Sequence, residues 1–385
     1  MRARVISTFI TVLLMLYYLL TVMNPRDRYA EIQSEGRIYP QICMLVVVLI
    51  SLWIVFKHNI KNSVLSPFYI FIVLFWIYSL TSSVSFIDTF SYILKSTSGY
   101  VFALLFYYFF EKEEAYTIKI SMLLMYTISI YGIFQYIQTR EETIYGTFES
   151  PVGFIYSQLL PLILLWNKNK ISPYLFIFSF VMCLMSGQRT ASLLACLFCF
   201  PAFKVYRNRL NIKRLILLLI ILLVFALPYI NSAIDNLILR NEHDTSKGSI
   251  GSGRDLFYSV VFEDFCDSSL FNQLFGHGLY SSLILIKKVL GQAIFAHNGY
   301  LDTVYQFGFL GLLIFLLCIF KIMKFAKDNY KKQSIYCSLL IYMGVAWLVK
   351  SSVSHGYLDL NSLPFSIALA YLVYKMTQIL HERKI

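Results

Sequence analysis

His297 and Asn298 head the stretch AHNGYLDTVYQFGFLGLL, directly before an apolar run. An imidazole titrates near working pH, so a neutral histidine here could take the proton from an attacking hydroxyl. Tyr300 follows, and Asp302 falls one helical turn after Asn298 on the same side. An aspartate in the first turns of a membrane span is costly unless it has a use or a partner. Two readings stand: Asp302 caps the helix start, or it lines a polar cavity. The plain alternative for the whole segment is an interfacial belt of histidine and tyrosine. Gly308 and Gly311 further along would thin the helix and allow close packing.

Two arginines suit an anion. Arg254 follows Gly251 and Gly253 in GSIGSGRDLFYSVVFEDF, where Ser252 or Asp255 could cap a helix. A guanidinium offers two parallel donors to phosphate oxygens. The segment is not a nucleotide-binding P-loop, because no Lys-Ser/Thr follows and no strand precedes it. The alternative is a surface arginine paired with Asp255 or Glu263. Arg189, in LMSGQRTASLLACLF, sits at a short outward turn between two apolar runs. There it meets an anion or merely snorkels to water. His277, between Gly276 and Gly278, reads by itself as a turn. Lys350, His355 and Asp359 would add to the same polar surface, while Arg140 with Glu141 and Glu142 reads as a solvated loop face.

The elements that must hold these groups are membrane helices. Of the 385 residues, 58% are hydrophobic and 14% charged, and mean hydropathy is +0.65; a soluble domain carries about 25% charge. The apolar runs do not alternate, which excludes a membrane barrel. The expected fold is an all-α polytopic transmembrane bundle of about twelve spans, at 5–23, 41–56, 67–80, 90–110, 118–137, 152–166, 171–186, 190–203, 213–230, 299–320, 334–352 and 361–380. The first run is taken as an uncleaved helix, since it lacks a small-x-small cleavage site. With the N-terminus inside, 21 of the 33 Lys and Arg fall on the cytoplasmic side, which fits the positive-inside rule and puts both termini in the cytoplasm. The net charge of +12 is therefore assigned to cytoplasmic loops and an anionic substrate, not to nucleic acid. The seven cysteines, six of them in apolar stretches, suggest neither a metal site nor a disulfide framework. The chain divides into nine N-terminal spans over 1–230, a long outer segment at 231–298 and three C-terminal spans over 299–385. That outer segment mixes polar residues with semi-apolar runs suited to short amphipathic helices, and long structured loops tend to be functional.

All candidate residues then face outward, where no ATP is present, so the energy must come from a preactivated donor. A sugar on a lipid pyrophosphate fits: the lipid leaves into the bilayer, and arginines stabilise the charge that develops as the glycosyl bond breaks.

At this point the pattern resembles the O-antigen polymerase and O-antigen ligase superfamily of membrane glycosyltransferases, the Wzy and WaaL types. The resemblance is carried by SGQRT, GSGR, GHG and AHNGYLDTVYQFGFLGLL, within 186–315, and by topology elsewhere. It implies a GT-C-like enzyme in the bacterial inner membrane, acting at the outer face on undecaprenyl-pyrophosphate-linked oligosaccharides without a metal or other cofactor. It assigns pyrophosphate binding to Arg189 and Arg254, and it makes His297 the candidate base beside the acceptor. His277, Asn298, Tyr300 and Asp302 support the site. A chain-length regulator and a flippase of the same pathway are implied partners, and the product is O-antigen, capsule or another exported polysaccharide. A polymerase is favoured over a ligase because the chain is compact and lacks an appended soluble domain. The rival from another class is a flippase or other transporter. Transporters concentrate polarity at mid-membrane and carry internal repeats, whereas here the polarity gathers in one outer segment and no repeat links the halves. A scaffold protein in an export complex is a second rival.

Overall fold

In lipid the backbone has to satisfy its own polar groups, and a single run can do so only as a helix. A computed structural model describes residues 2–23, 38–60, 62–80, 85–139, 141–142, 148–150, 152–166, 170–206, 238, 254–291, 294–330, 334–354, 357–359 and 362–382. Its helices are α1 (Arg2–Met23), α2 (Ile38–His58), α3 (Ser66–Ser79), α4 (Phe86–Thr139), α5 (Val152–Leu165), α6 (Ser172–Met185), α7 (Arg189–Tyr206), α8 (Arg254–Asp267), α9 (Leu270–Phe275), α10 (Ser281–Leu290), α11 (Gly299–Asp328), α12 (Ser334–Val353) and α13 (Leu363–Glu382). Strands Glu141–Glu142 and Phe148–Glu149 pair antiparallel as a minimal ladder. The protein is an all-α, multi-pass membrane helix bundle.

Seven helices among the described residues are long and apolar enough to cross a bilayer. The helices α3, α5 and α6 are apolar but only 14 residues long, short of the roughly 20 that a crossing takes. Eleven of the twelve expected spans fall on helices, and the run at 213–230 lies outside the described residues. The expected spans 90–110 and 118–137 share α4, which is interrupted at Glu113 (φ −151°, ψ 65°). The Thr117 hydroxyl donates to Phe109 O at 3.0 Å, across eight residues. A straight helix would separate such residues by about 12 Å, so the chain turns back at Glu113.

The chain forms two compact units. The first comprises 1–60, 101–234 and 361–385. Its α5 is buried over nearly its whole length and packs against α6, α7 and α13. The N-terminal end of α5 meets the turn between α6 and α7. Ser150 N donates to Ser186 O at 3.0 Å, and a Cβ on Gly153 would collide with Ser186 Oγ. Cys196 and Cys199 of α7 have CxxC spacing, and both are free thiols.

The second unit comprises 61–100 and 235–360. Its α11 contacts α3, α8, α9, α10 and α12. Glycine does more in α11 than thin it. Gly308 adopts φ 68°, ψ −171° and breaks the helix there. The break frees the carbonyls of Tyr305 and Gln306, which accept from His277 N (2.9 Å) and Gly278 N (3.0 Å). Gly276 and Gly308 face each other's strands of backbone so closely that a Cβ on either would come within 2.3 Å of main-chain atoms. Gly276 also has φ 81°, which an L side chain rarely adopts.

Gly276→Ala is therefore expected to lower the unfolding free energy in detergent micelles by more than about 3 kcal/mol, through combined clash and backbone strain. Gly291 shares a positive φ of 74° but has open space around it, so Gly291→Ala should cost only about 1 kcal/mol. Equal losses would show that the close backbone approach at Gly276 carries no energy.

Candidate functional site

The site is built on the N-terminal end of α11 and the C-terminal end of α12. Asn298 is the N-cap of α11: its Oδ1 accepts from Tyr300 N at 3.1 Å and Leu301 N at 3.2 Å, satisfying two of the donors that a helix start leaves orphaned. Asp302 is fully buried, and its Oδ1 accepts from Ala296 N at 3.2 Å and from Ser282 Oγ at 2.9 Å. It is neither the helix cap nor an element of an open cavity. It ties the residue before His297 to the first turn of α10. Gly299 N donates to Ser354 O at 2.9 Å, and Tyr300 Oη donates to Leu348 O at 2.9 Å. His297 is thus fastened on both sides, and it takes the left-handed conformation (φ 57°), which costs a non-glycine residue about 1–2 kcal/mol and persists only where neighbours impose it.

Arg254 opens α8, and its Nη1 donates to Val353 O, the last carbonyl of α12, at 3.0 Å. A cation is favoured at a helix C-terminus, where unsatisfied carbonyls carry partial negative charge. Among the described residues Arg254 pairs with no carboxylate, so the expected alternative of a bridge to Asp255 or Glu263 is not what holds it. Burial first, and the positive charge of Arg254 second, hold the His297 imidazole below its ordinary pKa. Both act against the charged form, which leaves His297 neutral and competent to accept a proton. Tyr258, one turn along α8, feels the same field: burial raises its hydroxyl and Arg254 opposes the rise. Lys350, buried on the last turn of α12, lies 3.9 Å from Asp359.

His277 has a structural position. Its ring stacks on Tyr305 (centroids 4.3 Å apart, 10° between planes), and Nε2 lies 2.8 Å from Ser268 Oγ. It locks the turn between α9 and α10 onto the break in α11. Arg189 belongs to the first unit, at the first position of α7 after Gly187 (φ 68°). Arg254, His277, His297, Asn298, Tyr300 and Asp302 belong to the second. His355 and Gly251–Gly253 lie outside the described residues. No group of three or more His, Cys, Asp or Glu side chains suited to a metal gathers among the described residues.

Several residues that shape the site are not among those the sequence singles out. Gln306 Oε1 accepts from Tyr280 N at 3.1 Å and Tyr92 Oη at 3.3 Å. Tyr92 stacks on Phe295 at 5.5 Å and lies 4.6 Å from Tyr280, and this cluster backs the strand of chain leading to His297. Asp264 Oδ2 accepts from Tyr305 Oη at 2.6 Å, fixing α8 to α11. One signal was available: Tyr305 and Gln306 lie three and two residues before Gly308 in an otherwise apolar helix, and carbonyls exposed by a glycine break need donors.

Residues 174–316 match the family model for O-antigen ligase. The match covers SGQRT, GHG, α8, α9, α10 and α11 as far as residue 316. No match is found among curated proteins.

Asp302→Ala is expected to release the Ala296 amide. In hydrogen exchange of the full-length protein, a peptide spanning 294–299 should gain at least one fast-exchanging amide while the peptide spanning α8 keeps its protection. Unchanged exchange at 294–299 would remove Asp302 as the clamp of the His297 segment.

Proposed function

We propose that this protein is a membrane glycan transferase of the O-antigen ligase type. It moves an oligosaccharide from a lipid pyrophosphate, such as undecaprenyl pyrophosphate, onto an acceptor hydroxyl at the outer face of the bacterial inner membrane. The observation that carries this reading is the junction at the end of α12, where Arg254, a guanidinium without a carboxylate partner among the described residues, donates to Val353 O and the segment carrying His297 is tied to Ser354 O through Gly299 N. A fixed cation beside a neutral base matches the needs of a reaction in which a diphosphate leaves and a hydroxyl attacks.

In this mechanism the acceptor O–H bond breaks as its oxygen bonds to the anomeric carbon. The proton goes to His297, and the bond from the anomeric carbon to the pyrophosphate oxygen breaks. The electron pair stays on the lipid pyrophosphate, held by Arg254. Asn298, Asp302 and Tyr300 keep His297 in place, and His277 keeps α8–α10 against α11. No cofactor has a step in this scheme.

The acceptor separates two versions. The polymerase favoured on chain compactness would use an incoming lipid-linked repeat, whereas the ligase uses lipid A-core. The match at 174–316 supports the ligase version. Twelve spans, cytoplasmic termini, a GT-C-type architecture and cooperation with a flippase and chain-length regulator complete the proposal. The purified protein, given lipid-linked glycan with lipid A-core or with lipid-linked repeats alone, should join glycan to lipid A-core. A repeat ladder without lipid A-core would make it a polymerase, and glycan carried across vesicles without bond formation would make it a transporter.

His297→Ala is expected to slow transfer by about 10²- to 10⁴-fold, and Arg254→Ala by about 10²- to 10³-fold, at normal abundance in the membrane. Arg254→Lys should also lose most activity, because an ammonium lacks the fork. Full transfer by any of these would take that residue out of the site.

The acid limb of the rate profile reports His297. Its pKa is lowered, so the base form persists below pH 6.5, the ordinary histidine value, and the rate should stay level through neutrality and fall only in more acid buffer. In Arg254→Ala the repulsion of the imidazolium is gone, so the limb of the residual activity should move to higher pH. In Arg254→Lys it should stay near its original place. An unmoved limb in Arg254→Ala would refute the electrostatic link.

A further inference from the structure

Away from the His297 site, toward the opposite end of α11, a cavity of about 800 Å³ opens between the start of α3, the C-terminal half of α11 and α12. Its lower walls are Ile70, Ile314, Leu317 and Phe320. Its rim carries Lys321, Lys324 and Lys327, with Asp328 as the one carboxylate. One side of α11 therefore changes from apolar to basic between Leu317 and Lys324, about two turns or 10 Å. Lys321 Nζ donates to Ser66 Oγ at 2.9 Å, which holds one ammonium across the mouth of the groove.

We infer that this groove binds one anionic phospholipid, with its phosphodiester headgroup among Lys321, Lys324 and Lys327 and its acyl chains along Ile70, Leu317 and Phe320. The commitment to lipid comes from the order of the chemistry. Leu317 (45% exposed) and Phe320 (51%) face outward from α11, long and apolar enough to span, and on a spanning helix that face lies in hydrocarbon; Ile70 (54%) faces outward from the apolar α3 packed against it. The lysines stand where the span ends, at headgroup level, with three positive charges against one negative. An occupant must be apolar along the span and anionic at its end. A soluble anion would leave the walls uncovered, and a zwitterionic lipid would leave the excess charge unmatched. Basic pockets between spanning helices recognise acidic headgroups in this way.

Native mass spectrometry of the full-length protein, released from detergent with dioleoylphosphatidylglycerol or dioleoylphosphatidylcholine, tests the inference. The phosphatidylglycerol adduct should dominate, and each Lys→Ala change at 321, 324 and 327 should weaken it by about fivefold. These lysines are exposed, so the variants should retain the wild-type elution profile. Ile70→Trp keeps every charge and fills the groove, and it should also weaken the adduct. The inference fails if the triple lysine variant retains phosphatidylglycerol. It fails equally if Ile70→Trp binds as wild type, which would indicate diffuse surface charge, or if inorganic phosphate displaces the lipid, which would indicate a soluble-anion site.

Discussion

The second unit depends on how two broken-off carbonyls are satisfied. A helix that crosses a membrane cannot leave main-chain acceptors bare, because no water is there to take them. At Gly308 the chain leaves the helical region, and the carbonyls of Tyr305 and Gln306 lose their intrahelical donors. The amides of His277 and Gly278 replace those donors. Only glycine lets the two backbones come so near, and it is present on both sides of the contact. The short helices α8, α9 and α10 are thus joined to α11 by main-chain pairing as well as by side-chain packing. Phe257, Val261, Phe265 and Ile286 then bury their apolar faces against Val304 and Tyr305.

From that junction the chemistry is positioned in two steps. The packing of α8 and α10 brings Ser282 to Asp302, and Asp302 in turn fixes Ala296. Helix α12 supplies the other half. Its last carbonyls and the residue beyond it receive Arg254, Tyr300 and the amide of Gly299. One helix end therefore anchors both the cation and the segment that carries the imidazole, so the positive charge of Arg254 adds to burial in disfavouring a protonated His297. A histidine placed by its own loop would have no such coupling.

Much of this could be read from residue types. Apolar length without alternation specifies helices, and eleven of the twelve expected runs are helical. The sequence offers Asp302 as the cap of α11, but Asn298, a short polar side chain at the edge of the apolar run, supplies it, and Asp302 instead accepts from Ser282 and Ala296. What stayed hidden is tertiary. Periodicity does not say that Gly308 breaks α11, because glycine is equally at home where helices merely pack closely. His277 looks like a reactive group or a turn until Tyr305 and Ser268 are seen to enclose it. Gln306, Tyr92 and Asp264 act through partners distant in the chain, and a single sequence gives no distance.

The same reasoning separates the two arginines that the sequence treats as a pair. Each opens a helix, where the macrodipole disfavours a cation. Arg254 has an evident counterweight, the carbonyl end of α12. Arg189 follows a tight turn in which Ser186 and Gly187 are committed to their own backbone. Arg254 is therefore fixed by a main-chain acceptor of its own unit rather than by a carboxylate among the described residues.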